Sequence, residues 1–400
     1  MTDLPLIISV DDHVVEPPNL WMDRLPSSYR DIGPRVVRGH QPGSATVNER
    51  GLLVQSDSGE GLPTDWWVYE DVHMPIFRSF AGVSYSSRED VDRTGMTYDE
   101  MRPGCYDPAA RIADLAEAHI EASLCFPNLL PRFCGQSFLW SKDKDLAGLC
   151  VTAYNDWVID EWCAGSQGRL IPLIILPLWD VEAAAKEVYR NAARGARAIT
   201  FSENPTALGL PSLHAEDRHW DPLWAACEET KTVICVHIGS SSQMPKTAPD
   251  APQAVRSVIV SNNAMTSMAD WLFSGNFMRF PGIKVAMSEA EIGWIPYILE
   301  RIDRVWHTRL NYYDREVVPV PPSQYFHSNM YGCMVSDQHG IDSIDVIGED
   351  NILFEVDYPH ADSTWPDTIS VAGSELAKLT ELQQEKVLRR NAIDLFRLDL

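Results

Sequence analysis

The stretch Leu6-Ile-Ile-Ser-Val-Asp-Asp-His-Val-Val-Glu-Pro-Pro18 decides the reading of the fold. An apolar strand delivers two carboxylates and an imidazole at its C-terminal end. Side chains alternate along a strand, so Asp11 and His13 point one way and Asp12 the other. Chemistry carried at the C-terminal ends of strands is the habit of parallel α/β folds. Further apolar or β-branched runs follow at Ala122–Phe126, Leu170–Leu176, Arg197–Phe201, Thr232–Ile238, Ile283–Met287, Met330–Val335 and Ile352–Val356. With Leu6–Val10 these make eight buried strands. Helical periods lie between them, at Ala109–Ile120, at Val181–Arg194 before Gly195, and most clearly at Ile295–Trp306. In the last of these, Ile295, Ile298, Leu299, Ile302, Val305 and Trp306 form one stripe. Eight strand-helix repeats predict an α/β fold of the (β/α)8 TIM-barrel type. An open dinucleotide-binding sheet would show a glycine-rich phosphate loop, and none is present.

The chain reads as a single domain spanning 1–400, with two interruptions. Residues 30–106 are rich in Gly, Ser, Asp and Arg, with one strand-like run at Trp66–Tyr69. They read as an insertion after the first strand, of the kind that forms lids or binding loops. A smaller insertion, 239–282, follows strand five, and the proline-rich 316–322 reads as a stiff surface connector.

Composition narrows the partners. The chain carries 33 basic and 57 acidic residues, a net charge of 33 − 57 = −24, which argues against nucleic acid or an anionic membrane. The first 25 residues include Asp3, Asp11, Asp12 and Glu16 and show no leader pattern, so a cytoplasmic location is expected. The most apolar stretch, Leu170–Trp179, contains two prolines and falls well short of the ~20 residues that span a bilayer. Eight cysteines are scattered without a CxxC pair and read mainly as reduced core residues.

Three strand ends offer metal-ligand chemistry. Asp11 and His13 end the first strand, His237 ends the fifth ahead of Gly239-Ser-Ser-Ser242, and Asp357 leaves the eighth in Asp357-Tyr-Pro-His360. Together Asp11, His13, His237 and Asp357 form a mixed nitrogen and oxygen shell that suits one divalent metal, zinc foremost and manganese as the alternative. Glu16 and His360 read as rim residues that orient ligands, contact substrate or simply bond their own loops. Arg111, after Asp107-Pro108, reads as a partner for an acid.

The sequence resembles the amidohydrolase superfamily, in the amidohydrolase-related branch that includes aminocarboxymuconate-semialdehyde decarboxylase and the resorcylate decarboxylases. The segments that carry the resemblance are Asp11–Pro17, Tyr106–Arg111, Ala153–Trp157, His237–Gly239, Ser288–Trp294 and Asp357–Pro366. It implies a mononuclear metal held by a first-strand [His/Glu/Asp]-x-His pair, a fifth-strand His and an eighth-strand Asp. These map onto Asp11, His13, His237 and Asp357. Two departures stand out. Where the muconate decarboxylases carry a catalytic His on strand six, this chain has Glu289, with Glu291 as a competing position. Asp11 also replaces the first His of the pair, adding negative charge to the shell.

Two chemistries fit such a centre: hydrolysis of an amide, ester or lactone, and nonoxidative decarboxylation of a small aromatic or conjugated acid. The branch resemblance favours the decarboxylase, as does strand four, Arg197-Ala-Ile-Thr-Phe201, which supplies no Lys to bridge a second metal. Asp357, Glu289 and His360 are the expected catalytic groups. A barrel retained only for binding is the third reading. A small-molecule substrate follows from the chemistry, and a homodimer is what the resemblance implies.

Overall fold

The computed structural model describes residues 4–48, 53–309 and 315–400. Its architecture turns on Pro172, which has no N–H to donate and splits the third parallel strand into Leu170–Ile171 and Leu173–Ile174. The first piece ends one hydrogen-bonded group, with Ile7–Val14 at its far edge and Ile120–Pro127 between them. The second piece begins another, which continues through Ala198–Ser202, Val233–His237, Val285–Ser288, Met330–Met334 and Ile352–Phe354. Every neighbouring pair in both groups is parallel. Beyond Phe354 the chain meets the first strand again. Val356 N donates to Ser9 Oγ at 3.0 Å, Asp357 N to Asp11 O at 2.8 Å, and His13 N to Tyr358 O at 2.6 Å.

All eight expected strand positions are occupied, and the first strand runs through its acids to Val14 rather than stopping at Val10. The expected helices are present as Pro108–Glu117, Val181–Ala192 and Ile295–Thr308. The first is shorter than its periodicity predicts, because Ile120 already belongs to the next strand. Asp107 and Asp180 cap their helices by accepting from Ala110 N and Ala183 N.

Alternate residues of every strand, among them Ile8, Val10, Leu124, Leu173, Ala198, Cys235, Ala286 and Leu353, form one apolar cluster. The opposite faces pack on the helices in a second, larger cluster. Strict alternation from Ile8 and Val10 would put Asp12, not Asp11, on the first of these faces. The strand avoids this with a bulge: Ser9 pairs with Ser123 and Asp12 with Cys125, three steps against two. The extra residue reverses the alternation and sends Asp11 and His13 to the same face as Ile8 and Val10.

Residues 30–106 hold more strand than the sequence suggests. Arg35–His40, Pro63–Tyr69 and Val72–Pro75 form an antiparallel sheet, and Pro42–Val47 pairs with Leu53–Asp57. Residues 49–52 lie outside the described residues. These strands escape a pattern reading because Arg35–His40 and Pro42–Val47 have no fully buried residue, so no apolar alternation marks them. Residues 239–282 carry the helices Gln253–Ile259, Asn262–Phe273 and Asn276–Arg279, the second of them the longest. All eight cysteines are unpaired and seven are buried, as the reduced-core reading expects. Among the described residues no helix is long and apolar enough to cross a membrane.

Candidate metal centre

The bulged first strand brings His13 to the middle of a buried cluster. Its Nε2 lies 3.6 Å from Asp11 Oδ1, 3.5 Å from Asp357 Oδ1 and 3.3 Å from His237 Nε2. His237 Nε2 is in turn 3.3 Å from Asp11 Oδ2. The four residues read from three separate strand ends therefore gather around His13, in two overlapping groups, Asp11 with His13 and His237, and His13 with Asp357 and His360, and all four are buried.

The donor chemistry of that point fits a cation. The Nδ1 atoms of His13 and His237 face main-chain carbonyls, Pro127 O at 3.4 Å and Ile238 O at 2.6 Å. With Nδ1–H as donor in each ring, both Nε2 lone pairs face the two carboxylates. Among the described residues, neither oxygen of Asp11 accepts a well-formed hydrogen bond, and Asp357 Oδ1 has a short ion-pair contact with His360 Nδ1. Buried carboxylate oxygens without donors are costly unless a positive charge compensates them. Without an ion a proton takes that role: burial pulls His237 down, yet Asp11 and Glu289 outweigh it and push the ring up to about 10. His13 moves the other way, held well below its ordinary range by burial and by the charges of His360 and His237. Burial likewise raises Asp11.

His360 packs its ring on His13 with centroids 3.9 Å apart, places Nδ1 2.8 Å from Asp357 Oδ1, and meets Asn128 Oδ1 through Nε2 at 3.0 Å. Asp12 points away from Asp11 and His13, and it ties the first strand to the second and to the segment beyond the eighth by accepting from Ser9 Oγ, Ser123 Oγ and Tyr358 N. Glu16 is not at a rim. It is fully buried and accepts Asn128 N and Leu129 N, both at 2.9 Å, so loop bonding is its structural role. Arg111 needs a correction as well. Among the described residues it makes no direct ion pair with an acid. It is buried under the Tyr358 ring, and it donates Nη2 to His13 O at 2.6 Å and Nε to Gly104 O at 2.7 Å.

Above the cluster opens a cavity of about 650 Å3. Both strand-six acids line it. Glu289 is the nearer to the cluster, with Oε2 3.6 Å from His237 Nδ1. Burial raises its carboxyl to about 8 against the pull of His237, and Asp357 and Asp11 raise it further. Glu291 Oε1 accepts from Ser336 N at 3.3 Å, and burial raises it to about 7. Glu289, Glu291 and Asp357 all adopt positive φ, +55°, +54° and +59°, which concentrates backbone strain at the strand ends that face the cavity.

Sequence reasoning missed three participants. Glu203, ending the fourth strand, gathers Gly239 N, Ser241 N and Ser241 Oγ on Oε1 and so shapes the turn after His237. Glu355 accepts Glu289 N at 3.1 Å and is itself pushed well up by burial. Arg132 lines the cavity from the loop after strand two. The signal available for all three was their place at or just beyond a strand's C-terminal end.

The amidohydrolase family profile matches residues 68–398. The chain belongs to the amidohydrolase family. This amidohydrolase is 27% identical over 274 residues to the gamma-resorcylate decarboxylase of Rhodococcus jostii, covering 61% of this chain and 75% of that one. Its fold matches the amidohydrolase map2389c of Mycobacterium avium subsp. paratuberculosis with a TM-score of 0.71, at 22% identity, over 98% and 99% of the two chains. It also matches the 5-carboxyvanillate decarboxylase of Novosphingobium aromaticivorans, complexed with manganese and 4-hydroxy-3-methoxy-5-nitrobenzoic acid. That TM-score is 0.62, at 18% identity, over 98% and 96%. The resemblance carried by the sequence motifs is thereby borne out.

Proposed function

We propose that this amidohydrolase is a metal-dependent nonoxidative decarboxylase of a small aromatic or conjugated carboxylic acid, built on a closed (β/α)8 barrel. The main-chain bonds from Asp357 and Tyr358 back to the first strand support the closure. The observation that carries the function is the convergence of two imidazole nitrogens and donor-poor carboxylate oxygens beneath an acid-lined cavity. The decarboxylase relatives favour a carboxylic acid as occupant.

Asp11, His13, His237 and Asp357 would hold the ion, manganese or zinc by the chemistry of that donor set. When bound, the ion supplies Lewis-acid stabilisation of negative charge on the substrate's oxygens. The chain's own residues do the rest. His360 keeps Asp357 oriented, with its other nitrogen fixed on Asn128. Glu289, at the cavity wall, gives a proton to the carbon that loses its carboxylate. The C–C electron pair becomes the new C–H bond, CO2 leaves, and Glu289 takes a proton back from water. Phe80 and Phe133 offer apolar walls that a ring can lie against.

Manganese-loaded and zinc-loaded protein incubated with hydroxybenzoates and unsaturated dicarboxylates is expected to release CO2. Hydrolysis of amides or lactones with no CO2 from any acid would overturn the reading in favour of a hydrolase. A protein that never takes up stoichiometric metal would overturn both.

A further inference from the structure

The cavity poses a charge problem that the candidate centre alone does not solve. Four acidic side chains line it, those of Glu289, Glu291, Asp357 and Asp362, in a chain of net charge −24. An anionic acid gains nothing from the long-range field here and needs cations close by. Besides His360, the described lining offers one, Arg132.

Arg132 is held for such a task. Its φ is +56°, a conformation a residue other than glycine adopts only where its surroundings insist on it. Those surroundings are rigid on both sides. Glu16 clamps Asn128 N and Leu129 N, and Arg132 N donates to Leu129 O at 3.0 Å. On the other side Thr200 Oγ1 donates to Phe133 O at 2.7 Å, and Gln136 reaches Ser240 O at 3.0 Å. Phe133 stacks on His237 with centroids 4.4 Å apart, so the residue beside Arg132 touches the candidate centre. Gly239, at φ +88°, permits that stack, because a Cβ there would sit 3.0 Å from the Phe133 ring. Among the described residues no carboxylate pairs with Arg132, and burial pulls its guanidinium below the ordinary value.

We infer that Arg132 receives a second carboxylate of the substrate, so that the acid decarboxylated here is a dicarboxylate with one carboxylate at the metal centre and the other on this guanidinium. The inference rests on the decarboxylase reading and adds the substrate class. A single planar fork with no lysine beside it matches one carboxylate in a bidentate pair.

The test uses the manganese-loaded protein and two acids that differ by one carboxylate, 2-hydroxybenzoate and 4-hydroxyisophthalate. Affinities are read by calorimetry for wild type, Arg132→Gln and Arg132→Lys, with metal content and circular dichroism confirming that each variant is folded and loaded. Wild type is expected to prefer the diacid. Arg132→Gln should weaken the diacid roughly ten- to a hundredfold, the worth of a lost charge-assisted pair, while the monoacid shifts less than about threefold. Arg132→Lys should recover part of the loss. Equal weakening of both acids, or of neither, overturns the assignment of Arg132. If 2-hydroxybenzoate releases CO2 and the diacid shows no preference, only this inference falls. If neither acid binds or releases CO2, the decarboxylase reading falls with it.

Discussion

At the ends of the parallel strands Asp11, Asp12, His13, Glu16, His237 and Glu355 lie at no more than 1% exposure, whereas in the Pro42–Val47 and Leu53–Asp57 hairpin the apolar Val47 and Leu53 stand 68% and 55% exposed. The two regions invert the usual placement of polar and apolar groups. The strand ends bury charge and must compensate each group with a partner, a main-chain donor or an ion. The hairpin buries little and has little to lose. A substitution should therefore be costly in the first region in proportion to the compensation it removes, and nearly silent in the second.

The largest effect should come from breaking the centre itself. His237→Ala and Asp357→Asn are expected to lose stoichiometric metal by elemental analysis and to lower CO2 release by about a thousandfold or more, the scale of several kcal/mol of lost charge stabilisation. Chelation of the wild-type protein should mimic this and lower its Tm, because an ion that binds only the folded chain adds about 2.7 kcal/mol at a hundred times its Kd. An unchanged Tm would mean that the buried carboxylates are compensated without an ion.

Arg111→Met sharpens the comparison without touching a ligand. It leaves His13 O and Gly104 O without their guanidinium donor, so a loss of about 2–4 kcal/mol is expected in urea unfolding. A smaller drop in metal affinity should accompany it, through the freed His13.

Glu16 supplies a pH test. Burial raises its carboxyl to about 7 in the folded chain, although Asn128 N, Leu129 N and Leu130 N pull it down. The folded value lies above the unfolded one, so folding takes up a proton between them. This contribution to stability is complete below about pH 4.5 and is lost as pH rises through about 7. Glu16→Gln should flatten the slope of unfolding free energy over that window, and an unaltered slope would place the titration elsewhere.

The smallest effect belongs to the hairpin. Val47→Ser is expected to change stability by less than about 0.5 kcal/mol and to leave CO2 release and metal content untouched. A larger change would reveal a contact that the exposed hairpin does not make within this chain.

The strands and the candidate ligand residues were legible for the same reason. A buried parallel strand needs an unbroken apolar run, and a polar residue at its C-terminal end stands out against that run. Arg111 gave no such contrast, and although Glu203 and Glu355 stand at strand ends, the roles of all three consist of bonds to His13 O, Gly239 N and Glu289 N, groups distant in sequence or in a neighbouring turn. The hairpin strands were invisible because they bury no face. Nothing in the sequence marked Arg132, which the folded chain places on the cavity wall with no carboxylate partner among the described residues.

By itself the amino-acid sequence determined the α/β class, the order of the parallel strands, and four candidate ligand residues, because residue type and strand period are local properties. Tertiary structure decided which way those residues face. One extra residue between Ser9 and Asp12 turns Asp11 and His13 to the interior, and it acts as a bulge only because Ser123 and Cys125 lie alongside to count against. Register is a relation between two strands, so no reading of one strand alone contains it.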